Sequence, residues 1–152
     1  MNFNLVDNLE DIKNYMNKYN NYFLHPLNVN EIKIISKKFH DFGIMYIAEE
    51  NGIDLGYIAG YMNNKKTKIA YISQLVVDLN KRKQGVGKFL INNFQKESFR
   101  KKMRIVELET YKDNKIAIRF YEKNGFCKEK LIENKIWRMS KKLEEIKKNN
   151  DN

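Results

Sequence analysis

Apolar residues along this chain follow two rhythms, a helical one of three to four residues and short near-continuous runs, and they alternate in a readable order. A short strand is expected near Phe3 to Val6. Leu9, Ile12, Met16 and Tyr19 then share one face of a helix that Asp7 or Asn8 can cap and that runs to about Tyr22. Asn30 stands as the cap of a second helix carrying Ile32, Ile35 and Phe39. After Gly43 the rhythm changes. Ile44 to Ala48 reads as a strand, Asn51-Gly52 as a hairpin turn, and Ile53 to about Met62 as the returning strand. Asn63 to Lys66 form a second turn, followed by a strand through Val77.

A helix from about Gly85 to Lys101 buries Val86, Leu90 and Phe94. Arg104 to Thr110 is a strand with Val106 and Leu108 on one face and Ile105, Glu107 and Glu109 on the other. Asp113 or Asn114 caps the next helix, and Asn124-Gly125 ends it. Phe126 to Lys130 and Ile136 to Ser140 close the fold as two strands, with Cys127 a small buried strand residue and Trp137 a core or interface anchor. The pattern predicts one α+β domain over residues 1–140, with helices on both faces of a mixed sheet, and a frayed polar tail over 141–152.

Composition narrows the class. With 152 residues, of which 42% are hydrophobic, the chain suits a single core, and one proline with no Ser/Gly-rich linker leaves no domain boundary. No run of 18 apolar residues predicts a membrane helix, and the N-terminus lacks the basic-then-apolar pattern of a signal peptide. A lone cysteine cannot form an internal disulfide and fits a reducing cytoplasm. The net charge of +10 raises the question of nucleic acid. Its lysines are scattered in doublets such as Lys37-Lys38 and Lys101-Lys102, which read as solvated loops and helix ends and argue against a nucleic-acid surface. His25 and His40 are too isolated to suggest a metal site.

The chemistry concentrates at Arg82-Lys83-Gln84-Gly85-Val86-Gly87-Lys88, between an apolar strand and a helix. Two glycines admit a ligand close to the backbone, and the free N–H groups and positive end of the helix face phosphate oxygens. A P-loop would need Gly at Arg82 and Ser or Thr at Phe89, and a dinucleotide fingerprint would need a small residue at Leu90. What remains, Arg-x-x-Gly-x-Gly after a strand, resembles the coenzyme A pyrophosphate loop of the GCN5-related N-acetyltransferases. A second stretch, Asn114-Lys115-Ile116-Ala117-Ile118-Arg119-Phe120-Tyr121 through Gly125-Phe126, resembles the same family's block Asn-x-x-Ala-x-x-Phe-Tyr-x-x-x-Gly-Phe without a gap. Residues 48–60 are similar to its central hairpin.

The resemblance implies the family's fold, with the two central strands splayed into a V, and acetyl-CoA as co-substrate with no metal. It implies that backbone groups of Gln74, Leu75, Val76 and Val77 pair with the pantetheine arm. Arg82, Lys83, Gln84, Gly85, Val86, Gly87 and Lys88 would hold the pyrophosphate, Asn114 would hydrogen-bond the arm, and small Ala117 would let it pass. Tyr121 matches the family's tyrosine acid beside the cofactor sulfur. Glu109, twelve residues earlier, resembles a general base of ribosomal-protein N-terminal acetyltransferases, partly buried and so with a raised pKa, or else is a strand-end carboxylate holding a Lys. Tyr71, Ser73 and Gln74 stand where some members carry a glutamate base. The implied reaction is direct attack by a primary amine on acetyl-CoA in a ternary complex, by a monomer or homodimer. A non-catalytic acetyl-CoA-binding sensor or a partner-binding protein of the same fold is the alternative, and peptide N-termini, amino acids and amino sugars all remain open as acceptors.

Overall fold

Asparagine side chains cap three of the four α-helices and fix where their apolar stripes begin. In the computed structural model, which describes residues 1–144, β1 (Asn2–Val6) passes through Asn8, whose side chain accepts from the Asp11 N–H, into α1 (Leu9–Tyr19). A single 3₁₀ turn over 20–22 replaces the expected last turn of this helix. The second helix is capped by Asn28, two residues before the expected Asn30. Asn28 and Glu31 exchange side chain-to-backbone hydrogen bonds of 2.8 and 3.0 Å, and this reciprocal capping box starts α2 (Val29–Phe42). Then follow β2 (Ile44–Glu50), β3 (Ile53–Tyr61), β4 (Ile69–Val77), α3 (Val86–Arg100), β5 (Ile105–Tyr111), α4 (Lys115–Lys123), β6 (Cys127–Ile132) and β7 (Ile136–Lys142). Asn51 and Gly52 both take positive φ, 53° and 78°, as the tight turn between β2 and β3 requires.

The seven strands form one mixed sheet in the order β1-β2-β3-β4-β5-β7-β6. Only β4 and β5 are parallel; the other neighbours are antiparallel. Helices cover both faces, so the core has two halves. Val86, Leu90, Ile91 and Phe94 of α3 and Ile118 and Tyr121 of α4 pack with Val106, Leu108 and Met139 on one face. Ile12, Met16 and Tyr19 of α1 and Ile32 and Phe39 of α2 pack with Met45, Tyr57 and Val76 on the other. Asp54 at the start of β3 ties α1 down, accepting from the Tyr19 hydroxyl at 2.6 Å and from Lys18 at 2.8 Å. Burial works to raise this carboxyl, but those two donors outweigh it and hold it below its usual range.

Two expectations near the C-terminus are corrected. β7 runs to Lys142 and Leu143 is buried in the core, so the fold extends beyond residue 140; the rest of the expected tail, 145–152, lies outside the described residues. Cys127 is exposed, not buried, because it lies on β6, an edge strand of the sheet.

Two irregularities shape the middle of the sheet. The β2–β3 register shifts beside Ala48 and the β3–β4 register shifts beside Ala59, where Ser73 is the extra residue of β4. Gly56, at φ +155°, lies beside the first of these, and a Cβ there would stand 2.3 Å from the Val76 carbonyl oxygen on β4. Replacing Gly56 by Ala should therefore destabilise the fold by about 1–3 kcal/mol, the usual range for an enforced backbone outlier. Thermal unfolding of the variant checks this; an unchanged midpoint would mean the strand edge has slack that these contacts do not suggest.

Candidate functional site

Pairing between β4 and β5 begins at Ile69 with Ile105 and ends at Ile72 with Leu108. Beyond that point β4 keeps its bonds to β3 as far as Val77, and β5 keeps its bonds to β7 as far as Tyr111. The two central strands thus diverge, and the backbone of Ser73 to Val77 has a partner strand on one side only. A row of unpaired N–H and C=O groups inside a sheet is a template for another extended chain. This is the V expected from the sequence, and it contains Gln74, Leu75, Val76 and Val77.

The glycine loop opens at the end of the same strand. Arg82, Lys83, Gln84 and Gly85 are all exposed. Lys83 and Gly85 take left-handed φ values of 66° and 81°, which turns the chain sharply into α3. No side chain caps this helix, and its first hydrogen bond runs from the Phe89 N–H to the Gly85 carbonyl at 2.9 Å. The N–H groups of Val86, Gly87 and Lys88 are therefore left facing outward. Arg82, Lys83 and Lys88 form no ion pair among the described residues. Free helix donors with unpaired cations make an anion-binding end.

The two glycines have different jobs. A Cβ on Gly85 would meet nothing within 4 Å, so the surface there is open. A Cβ on Gly87 would stand 3.1 Å from the Phe120 ring and 3.7 Å from Val77. Gly87 therefore serves first to let α3 lie close to α4, a role that the sequence expectation had assigned to ligand approach.

From α4, Asn114 caps its own helix by accepting from the Ala117 N–H at 3.2 Å, which leaves its amide nitrogen free. Ala117 is partly buried beside it. Tyr121 is only 9% exposed and contacts Phe120 and Phe126 edge-on. Burial, and secondarily the neighbouring Tyr71, push its hydroxyl well above the ordinary phenol range, so it is protonated at neutral pH.

The opposite face of the sheet carries Glu109 and Tyr71. Glu109 is exposed rather than partly buried, and Arg138, directly across on β7, reaches it at 3.3 Å. A cation does hold this carboxylate, though it is an arginine. Tyr71, paired in register with Glu107, has its hydroxyl pushed up to about 12 by burial and by the charge of Glu109. The two phenols Tyr71 and Tyr121 thus approach the split from opposite faces.

Sequence reasoning weighed His25 only as a metal ligand and gave it no place at the site. It sits in the link between α1 and α2. Its ring lies 3.9 Å centroid to centroid from Tyr111, and Nε2 is 3.7 Å from Asp113. That link therefore crosses from the α1–α2 layer to the end of β5, over the mouth of the split. No local motif reveals this; two segments about 90 residues apart meet only in the fold. Among the described residues, no three His, Cys, Asp or Glu side chains come together as a metal site would require.

Comparison with known proteins agrees with this geometry. Residues 9–126 match the model of the acetyltransferase (GNAT) family. An uncharacterized N-acetyltransferase of Methanocaldococcus jannaschii is 34% identical over 103 residues, an alignment that takes in 64% of this chain and 45% of that protein, so the chain spans less than half of its length. An aminoglycoside 6'-N-acetyltransferase solved with coenzyme A superposes with a TM-score of 0.78, at 17% identity, over 97% of this chain and 99% of that one. The ribosomal-protein-S18-alanine N-acetyltransferase of Escherichia coli superposes at 0.76, with 15% identity and 97% of each chain covered. These two structural likenesses speak for the fold.

Gly87→Ala supplies a test of the α3–α4 contact. The added methyl requires the Phe120 ring to give by a few tenths of an ångström, so the melting temperature should fall despite the higher helix propensity of alanine. An unchanged melting temperature would show that the two helices are not held at this spacing.

Proposed function

This chain belongs to the acetyltransferase (GNAT) family, and from that premise we propose that it transfers the acetyl group of acetyl-CoA to a primary amine by direct attack within a ternary complex. The observation that carries the proposal is the coincidence of two receptors on one strand. The free edge of β4 suits an extended amide-bearing arm, and the cationic, uncapped start of α3 lies where that arm would continue into a pyrophosphate. The open surface at Gly85 leaves room for the phosphates, and the net charge of +10 favours encounter with a polyanion. The thioester would supply an activated acetyl carbonyl.

Within this reading, N–H groups of Gln74 to Val77 that do not bond β3 stabilise the oxyanion that develops on that carbonyl. Asn114 offers its free amide nitrogen to the arm, and Ala117 keeps the passage beside it narrow but open. Tyr121 holds a proton at its hydroxyl and gives it to the departing thiolate. Glu109 accepts the proton of the incoming amine through water, from the opposite face. An amine has a pKa of about 10, so near neutral pH it must be relieved of a proton before it attacks.

A second reading, a non-catalytic acetyl-CoA sensor, draws its support from the ion pair between Glu109 and Arg138, which leaves the proposed base engaged. A thiol-release assay against a panel of amines and peptides separates the two, since a sensor binds acetyl-CoA without releasing thiol.

Three variants test the roles. Gly85→Val fills the open surface and should weaken acetyl-CoA binding at least tenfold, about 1.4 kcal/mol, by calorimetry; unchanged affinity would remove the loop from the binding site. Tyr121→Phe keeps the ring packing and should lower kcat roughly 10²-fold, at the low end for general-acid catalysis. Glu109→Gln should reduce kcat/KM most at low pH and progressively less as pH approaches the pKa of the amine, because there the amine arrives unprotonated. Full turnover in Tyr121→Phe, or a uniform effect of Glu109→Gln at every pH, would overturn the respective assignment.

A further inference from the structure

One side chain beside the split has a fixed chemistry that the transfer reading leaves unused. Gln74 lies two residues beyond the last β4–β5 pair. The extra residue Ser73 turns it onto the face of β4 that it shares with Val76, next to Tyr57 and Ala59 of β3. There its Oε1 accepts from the Tyr57 hydroxyl at 2.8 Å. Tyr57 is fully buried, and burial raises its hydroxyl above the ordinary phenol range, so the proton stays on.

That contact dictates which way the amide faces. Were Gln74 flipped, its nitrogen would donate to Tyr57, and the phenolic hydrogen would be stranded in the core, since Tyr57 has no other side-chain partner among the described residues. With the oxygen held on the β3 side, the nitrogen is the atom left for the other side of β4, where β5 has departed. Neither of its N–H groups has a partner among the described residues, and Gln74 is partly exposed. On the same face Tyr71 precedes it on β4, still paired in register with Glu107 of β5, and across the gap stands the Glu109–Arg138 pair. Thus the Gln74 side chain presents only donors to the gap, while β5 presents the Glu109 carboxylate.

An attacking amine has one lone pair, and it is committed to the acetyl carbon. Everything else the nitrogen carries is N–H, which meets the N–H groups of Gln74 donor to donor. A neighbouring oxygen on the acceptor molecule would satisfy them; a methylene would desolvate them without return. We propose that Gln74 is a specificity-determining residue whose amide N–H groups take the oxygen of a carbonyl attached to the carbon bearing the amine. The acceptor is then an α-amino carbonyl compound, a peptide N-terminus or an amino-acid derivative, and not an amine flanked by methylenes. Tyr57 is the positioning residue that keeps the amide turned this way. The inference rests on the acetyl-transfer reading.

The test is a set of kcat/KM values by thiol release, with four acceptors: an amino-acid amide, a short peptide with a free N-terminus, an alkylamine of matching length and an Nα-blocked lysine. The first two should exceed the last two by at least tenfold, and whichever of the first two leads identifies the source of the α-amino carbonyl group. Gln74→Glu keeps the bond from Tyr57 but replaces donors by an acceptor, so the ratio of amide to alkylamine should fall at least tenfold, mainly through KM. Tyr57→Phe keeps the ring and should lower the same ratio severalfold, with the melting temperature recorded to separate loss of fold from loss of selectivity. Turnover without preference, or a ratio unmoved by Gln74→Glu, overturns this inference alone. Absence of thiol release with every acceptor, while acetyl-CoA still binds, overturns the transfer reading and this inference with it.

Discussion

The site depends on one break in the sheet. A parallel pair of central strands normally stays bonded along its length, because an unpaired backbone inside a protein is costly. Here the β4–β5 pairing stops at Ile72 and Leu108. The extra residue at Ser73 supplies a local cause: a bulge bends and twists its strand, and β4 follows β3 rather than β5 from that point on. The edge this exposes is tolerable only if something else bonds to it. A fold that keeps such an edge at its centre is built around an extended partner.

Everything that could act on that partner is placed by the two half-cores. Packing of α3 and α4, close enough that Gly87 meets Phe120, sets Tyr121 beneath the split with its proton retained by burial. The α1–α2 layer, tied to β3 through Tyr19 and Asp54, holds the other face, where Gln74, Tyr71 and Glu109 sit. Acid and base candidates therefore approach from opposite sides of one gap. The contact of His25 with Tyr111 and Asp113 brings the α1–α2 link across its mouth, so the second layer also borders the split.

Much of this was legible in the chain. The helical stripes of α1 and α2, the Asn51-Gly52 turn and the two faces of β5 follow from local periodicity, which needs no tertiary information. The turn before α3 and the cap at Asn114 could be read because local backbone geometry demands such residues, while the block around Tyr121 was read through its resemblance to the family's motif. The bulge at Ser73 could not. Strict alternation from Ala70 and Ile72 would have put Gln74 on the α3 face, and one inserted residue reverses that. Likewise, the exposure of Cys127 follows from β6 being an edge strand, and the pairing of Glu109 with Arg138 from a β5–β7 register; both are properties of strand order. The cap at Asn28 was misjudged because Asn28 and Asn30 are equally good caps, and the choice falls to Glu31, three residues after Asn28.

The most direct test of the account is amide hydrogen exchange along β4 with and without acetyl-CoA. The free edge predicts that amides among Ser73 to Val77 that do not bond β3 exchange readily alone and become strongly protected when the ligand binds. Amides of β1 and β2 should change no more than general stabilisation by a ligand requires. Protection confined to other parts of the molecule, with these β4 amides unchanged, would contradict the claim that the split is the binding edge.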